Sequence, residues 1–516
     1  MHNETPFARA GTAAAWLGLL ALAGCATDTL DRAPPAPDRP WHPATLANGE
    51  IVAGAASAPA PADGPRGYVL PSNSAVASLP SAPSVDPAHV YDLPELIDLA
   101  AASSPDTRIA WNDARNAALA AGIARSTFLP QIAATALGGY KTGHADDLSG
   151  RFDTSDTTLS GGVALVSLQW LLFDFGQRAA RVEAADQATV IANIQFTAAH
   201  QRLIHDVSLA FYAYSAARAR VSTTEQSLKD AQDVEAAAED RFRHGIGTTI
   251  EVAQARQATA QNRLASVEAM GQQDDAYVDL LLAMGLPPLM KIAVADASGH
   301  PLSRDMVAPV GAFITAALAR RPDVLAAYAA ERASAANVKA ARAEFKPKVF
   351  VSGNGAVATG QLDWAAAPAA DGFPSSLNLS NRRFGATIMG GVTIPLFDGG
   401  RRRDALAQAR LGRENAGLAL DRVKNEAVRQ IVLADNALRT SLSTYEAAGA
   451  LLKASQITYD AALAAYRQGV GSSTDILTAE QRLLAARDAV TNAYSTSLSA
   501  AATLALATGS LGAAPR

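Results

Sequence analysis

The chain contains one pattern twice. Leu172-Phe173-Asp174-Phe175-Gly176-Gln177-Arg178 returns as Leu396-Phe397-Asp398-Gly399-Gly400-Arg401-Arg402, and Arg243-His244-Gly245-Ile246-Gly247 returns as Arg467-Gln468-Gly469-Val470-Gly471. Both lie at an offset of 224 residues, which still joins Gly285 to Gly509. Loops drift in length between copies, so a register held without insertion over that distance implies rods whose length is itself constrained. Upstream the offset is 217: Pro105-Asp106 matches Pro322-Asp323, Arg115 matches Arg332, and Phe128-Leu129-Pro130 matches Phe345-Lys346-Pro347. The slip between the two offsets falls between about 131 and 171.

That slip region reads as strand, loop, strand. Phe384, Ala386, Ile388, Gly390, Val392 and Ile394 alternate with Gly385, Thr387, Met389, Gly391 and Thr393, which puts the two sets on opposite faces. Strands are expected at about 131–141, 160–172, 348–359 and 383–396. No proline occurs from Gly176 to Gly285 or from Gly400 to Gly509, so each stretch is free to be helical until something else stops it. The stop is a doubled glycine, Gly245 with Gly247 or Gly469 with Gly471, followed by Thr248 or Ser472 to cap the next helix. Helical hairpins are therefore expected at about 176–285 and 400–509. Ile431, Leu438, Tyr445, Leu452, Tyr459 and Tyr466 recur every seventh residue, and Val207, Tyr214, Val221, Leu228, Glu235 and Phe242 stand at the matching places. Such a seam wraps helices around each other. At ~1.5 Å per residue a helix from Gly176 to Phe242 is about 100 Å long, far more than a globular domain needs.

The organisation follows. Residues 1–24 read as a signal peptide whose apolar run, Ala13 to Leu22, ends in Leu22-Ala23-Gly24-Cys25, similar to a bacterial lipoprotein cleavage site. Cys25 is the only cysteine, so no disulfide forms within the chain and the expected modification is covalent lipid, a diacylglyceryl group with palmitate. Ala26 and Thr27 follow where an inner-membrane retention aspartate would stand, which favours the outer membrane. Residues 25–90, rich in Pro and Ala, bury little apolar surface and are expected to act as a tether. Residues 91–300 and 301–516 are the two structural repeats, each ordered helix, strand, strand, long helix, helix. With 49% hydrophobic but only 6% aromatic residues, the rods are suited to close helix packing rather than bulky cores, and a net charge of −5 argues against nucleic acid as a partner.

Two strands per copy give four, and four strands cannot close a barrel. Open edges in lipid leave backbone groups unsatisfied, so a membrane version must pool strands from several chains. On periodicity alone, a small soluble sheet stands as the alternative.

The duplicated order, Phe128-Leu129-Pro130 before the first strand, the Leu-Phe-Asp-x-Gly-x-Arg pattern after the second, and Tyr466-Arg467-Gln468-Gly469-Val470-Gly471-Ser472-Ser473-Thr474-Asp475-Ile476-Leu477 at the hairpin resemble the TolC-type outer-membrane efflux channel family from about Tyr91 to Gly509. The cleavage site and Leu93-Pro94-Glu95-Leu96-Ile97-Asp98 resemble its lipid-anchored, OprM-like branch. The resemblance implies a homotrimer in the outer membrane of a Gram-negative bacterium: a twelve-stranded barrel continued by a tunnel of twelve helices across the periplasm. It implies that Gly245, Gly247, Thr248, Gly469, Gly471 and Ser472 form a tip where a periplasmic adaptor docks, coupling a passive drug-efflux duct to a proton-driven inner-membrane pump. Of two aspartates that narrow the tip in TolC, the first matches Asp475 and the second falls on Thr478; Glu251 is the first-copy equivalent. Three copies of Asp475 at a three-fold axis would form a gate favouring a bound cation or proton, whereas a solvated first-turn acid is the plain alternative.

Asp174 with Arg178, and Asp398 with Arg402, sit where strand becomes helix and read as helix caps with i,i+4 ion pairs of small effect rather than as catalytic groups. His200 and His205 are five apart and do not share a helix face squarely, and no phosphate loop, dinucleotide fingerprint or nucleophile elbow occurs, so neither metal, cofactor nor enzyme activity is expected. Two other roles remain in view: the channel of a type I protein secretion system, and a non-conducting lipoprotein that bridges envelope layers.

Overall fold

A computed structural model describes residues 29–34, 36–58, 68–78, 83–145, 155–297, 302–303, 311, 313–359, 362–365, 376–379 and 384–512. Cys25 and the signal segment lie outside them. The chain divides into two units, residues 1–84 and 85–516. In the first, single helical turns at Thr29–Arg32 and Ser74–Val76 and a bridge from Thr45 to Ile51 are tied by long-range bonds, Ser57 N–H to the Asp31 carbonyl (2.7 Å) and Ser74 N–H to the Asn48 carbonyl (3.0 Å). Gly49, at φ 86°, is required here because a side chain would collide with the Ser72 carbonyl. The Pro- and Ala-rich composition gives no sign of this local structure, because its backbone bonds need no apolar pattern.

In the second unit the elements run β1 (Val90–Tyr91), α1 (Leu93–Ser103), α2 (Pro105–Ser126), β2 (Gln131–Ala145), β3 (Ser155–Phe173), α3 (Gln177–Arg243), α4 (Thr249–Ala283), β4 (Ala293–Val294), α5 (Ile314–Leu318), α6 (Pro322–Ala343), β5 (Lys348–Thr359), β6 (Leu362–Ala365), β7 (Ser376–Leu379), β8 (Phe384–Thr393), α7 (Arg401–Arg467) and α8 (Ser473–Ala507). Both long rods, α3 and α7, have 67 residues, about 100 Å each at ~1.5 Å per residue. Each begins after a left-handed glycine, Gly176 at φ 92° or Gly400 at φ 93°, a conformation nearly free to glycine alone.

The rods hold together through small side chains. Helix α3 packs along α2, α4, α6 and α8, and α7 along α6 and α8. Ala231, Ala238, Ala255, Ala427 and Ala486 are buried at these contacts, where a larger residue would force the helices apart. Of the second-copy seam, Ile431, Leu438, Tyr459 and Tyr466 are buried while Tyr445 and Leu452 are half-buried. The first copy departs from it: Val207 is buried, but Phe242 is exposed, and Val234 and Ala238 take the inner positions near the helix end. A bulkier core gathers where α1 and α4 meet the middle of α3, from Leu96, Leu203, Val207, Phe211, Leu280, Leu281 and Met284.

The four long strands form one antiparallel sheet in the order β2-β3-β5-β8. Among the described residues, strands β2 and β8 are its outer members and β6 pairs with β7 alone.

Candidate functional site

Three places in the second unit carry functional geometry: the faces of the sheet, the strand-to-helix junctions and the hairpin tips. Strand register decides the first. Gln131 opposes Gln169, Gln169 opposes Ser352, Ser167 opposes Asn354, Asn354 opposes Thr387, and Lys348 opposes Thr393. Because side chains alternate along a strand, these residues and Thr135 share one face. The other face carries Ile132, Val166, Leu168, Trp170, Leu172, Val351, Val357, Phe384, Ile388 and Val392, with no charged or hydroxyl group over 131–139, 162–173, 348–357 and 384–393. The apolar face is not covered by the rest of the chain: Ile388 is 80% exposed and Val166 51%. A sheet with one polar face and one continuous apolar face left bare matches a barrel wall between lipid and a wet lumen, and opposes a soluble sheet, which would bury the apolar side. The Trp170 indole N–H donates to the Phe128 carbonyl (2.9 Å), so this ring sits at the end of the apolar band with its polar atom satisfied. No described helix is long and apolar enough to cross a membrane.

At the first junction, the Asp174 carboxylate accepts from Arg178 N–H (2.8 Å) and Nε (2.9 Å) and from Gly176 N–H (3.3 Å). The Arg178 guanidinium also donates to the carbonyls of Thr127 (2.8 Å), Leu171 (2.6 Å) and Leu172 (3.2 Å), and lies 4.7 Å from the centre of the Phe128 ring. Both side chains are almost fully buried, at 6% and 5% exposure. One arginine therefore ties the end of α2, the end of β3 and the start of α3 together, and the pair is not the weak surface pair that its spacing suggests. The second junction repeats the motif more openly. Asp398 accepts from Arg402 N–H (3.1 Å) and Nε (2.7 Å), Arg402 donates to the Pro395 carbonyl (2.9 Å), and the guanidinium lies 5.5 Å from the Phe345 ring centre. Hydrogen bonds from Arg402 hold the Asp398 carboxyl below its ordinary range.

At the tips, Gly245 (φ 73°) and Gly469 (φ 83°) take left-handed backbone, and the N–H groups of Ile246 and Gly247 return to the Arg241 carbonyl as those of Val470 and Gly471 return to Ala465. A side chain at Gly471 would approach Tyr466 N to 3.0 Å, and one at Gly247 would approach Phe242 N to 2.9 Å, so these turns close on backbone. Thr248 accepts from Glu251 N–H (3.2 Å); Ser472 accepts from Asp475 N–H (3.2 Å) and donates to the Asp475 carboxylate (2.7 Å) in a full capping box. Between the glycines Ile246 and Val470 stand exposed.

Glu251 and Asp475 have different hydrogen-bond partners, Asp475 bonding Ser472 of its own helix cap. Glu251 accepts from the Tyr466 hydroxyl (3.4 Å), and Arg241, 4.8 Å from the centre of the Tyr466 ring, donates across to the Tyr466 carbonyl (2.9 Å). Arg241 thereby joins the two hairpins. Sequence reasoning missed it, and the signal was available: its repeat partner is Ala465, so the copies differ at a half-buried position.

The profile of the family described as "Outer membrane efflux protein" matches residues 96–286 and 313–510. The chain belongs to that family. It is 28% identical over 413 residues to protein CyaE of Bordetella pertussis, a match covering 80% of this chain and 82% of that one, and 26% identical over 390 residues to outer membrane protein OprJ of Pseudomonas aeruginosa, covering 76% and 78%. Among solved structures, CusC superposes with a TM-score of 0.68 at 21% identity, covering 81% of this chain and 92% of CusC, which shows a shared fold. The protein is thus an outer-membrane efflux channel, and the split of the family match falls between its two repeats.

Proposed function

We propose that this efflux channel is the outer-membrane duct of a tripartite pump, in which three copies close their sheets into one twelve-stranded barrel and their rods form a twelve-helix tunnel. One observation carries the reading: over 131–139, 162–173, 348–357 and 384–393 every charged, amide and hydroxyl side chain lies on one face of the sheet, and the strands that border the sheet, β2 and β8, each pair on one side among the described residues. Pairing β8 of one copy with β2 of the next satisfies those edges and leaves no open backbone in lipid. A spacer lipoprotein has no use for a two-faced sheet with a bare apolar side.

The tips dock a periplasmic adaptor through the exposed Ile246 and Val470, held by Gly245, Gly247, Gly469, Gly471, Thr248 and Ser472. Asp475 and Glu251 line the constriction above them. The chain is cleaved before Cys25, which is acylated, and the lipid adds an anchor to the barrel. The duct has no engine of its own, so transport energy comes from an inner-membrane pump reached through the adaptor. Small amphiphilic compounds are the cargo. A photo-reactive residue at Ser472 in living cells tests the reading: capture of an adaptor paired with a proton-driven pump supports it, an adaptor of a secretion transporter favours protein export, and no adaptor in folded, outer-membrane protein overturns tip docking.

A further inference from the structure

Over the strand residues 131–139, 162–173, 348–357 and 384–393, the sheet carries a single charged side chain, Lys348. It stands at the helix end of β5, on the polar face, directly opposite Thr393. A cavity of about 380 Å³ opens there, lined by Gln131, Gln169, Lys348, Phe350, Ser352 and Arg181 among others. The other charges around it are already matched. Asp174 holds Arg178, and Glu344 holds Arg181 (3.4 Å) while also accepting from Gln177 (3.1 Å). Among the described residues Lys348 makes no ion pair, which leaves one uncompensated positive charge beside two glutamine amides, a serine hydroxyl and an aromatic ring. Phe350 lies flat against the sheet at this place, for a side chain at Gly391 would come within 2.5 Å of its ring. The site thus offers a cation and neutral donors on one side and an apolar plate on the other.

We propose that Lys348 makes the helix end of the barrel lumen a binding position for amphiphilic organic anions, whose carboxylate, sulfonate or phosphate meets the ammonium while their apolar part lies on Phe350. The inference rests on the duct reading, since three copies put three ammonium groups around one lumen, and it makes a cation a poor cargo for this duct. The repeat supports a dedicated role: the position matching Lys348 in the first copy is Gln131, on the same face but neutral. Nothing in the packing requires the charge, because the side chain is half-buried in open space rather than paired.

The test places a cysteine reporter at Thr393, the register partner whose Cβ lies roughly 5 Å away across the ladder. Thr393→Cys is made with Lys348 present and with Lys348→Met, which keeps the length of the side chain and removes its charge. Purified full-length protein is treated with sulfonate-bearing and with trimethylammonium-bearing methanethiosulfonates, and modification at residue 393 is followed by mass spectrometry. Any effect of Lys348 on the thiol itself cancels in the ratio of the two rates. A nearby unit charge in water changes each rate by about threefold in opposite senses, so the anionic-to-cationic ratio should fall roughly tenfold in Lys348→Met. Equal ratios in the two backgrounds would overturn the anion site and leave the duct standing. A reporter that neither reagent reaches, in protein that is folded and membrane-inserted, would show that this face is dry and would overturn the duct reading with it.

Discussion

Removing the carboxylate of Asp174 should cost this protein more than removing almost any other single charge. Asp174→Ala deletes the acceptor for Arg178 N–H, Arg178 Nε and Gly176 N–H, and leaves an arginine at 6% exposure without its counter-ion. Breaking a buried pair from one side costs about 3–5 kcal/mol. The bond count points the same way, since all three lost hydrogen bonds end on the carboxylate, and bonds to a charged group contribute about 1.5–3 kcal/mol each before the junction relaxes. Arg178 keeps its bonds to the Thr127, Leu171 and Leu172 carbonyls, so the junction should weaken without dissolving. The control is Lys339→Ala, which removes the Glu183 pair (2.9 Å) between side chains at 63% and 36% exposure and should cost about 0–1 kcal/mol. Urea unfolding of the detergent-extracted proteins, followed by circular dichroism, measures both. Asp398→Ala should fall between them, because that carboxylate is 22% exposed, and should lower assembly stability without changing cargo. An Asp174→Ala protein that unfolds at the same urea concentration as Lys339→Ala would refute the argument from burial.

Three further outcomes are expected. Glu480 is buried between α8 and α4; burial pushes its carboxyl up to about 7, the Asn262 side chain (2.8 Å) opposes this, and Asp230 adds to it. The folded protein then holds a proton that the unfolded chain releases near 4.5, so stability falls as pH rises from about 4.5 to about 7 and is level above, by at most about 3 kcal/mol; Glu480→Gln, which can still accept from Asn262, should flatten that dependence in melts run from pH 5 to 8. Gly471→Ala should loosen the second tip by about 1–2 kcal/mol, because its new methyl meets Tyr466 N at 3.0 Å, and limited proteolysis should cut there sooner than in Gly417→Ala, where the space is open. Asp475→Ala should raise single-channel conductance and weaken cation block; conductance and block both unchanged would leave Asp475 as the helix cap that the structure shows and nothing more.

What the sequence revealed and what it hid divide along one line. The repeat exposes anything both copies need: the strand-to-helix aspartates and arginines, the tip glycines, the capping hydroxyls and the rods between them. It is blind to whatever one copy does alone. Arg241 stands against Ala465, Asp230 against Ala454, Asn262 against Ala486, Glu480 against Arg256 and Lys348 against Gln131. Asp230 receives Arg487 (2.8 Å) and Asn262 donates to Glu480, so the helical mismatches mark where unlike helices of the two copies face each other, while Lys348 belongs to the sheet. A systematic comparison of the copies for changes in charge or polarity would have found them, three of the five being polar-to-alanine differences. The seam was legible as a period but not as a set of buried residues, since Phe242 turns outward where Tyr466 turns in. Phe175 is a second such case. It holds φ 54° where the other copy has Gly399, and it stacks edge-on to Phe173 at 4.7 Å between centroids, a contact a glycine could not make.

The account turns on β2 and β8 finding partners in other copies of the chain. Native mass spectrometry of the protein extracted from outer membranes measures that directly. Three chains in one particle is the predicted result, with each chain beginning at an acylated Cys25. A monodisperse single chain, folded and fully extracted, would contradict the closed barrel and with it the duct.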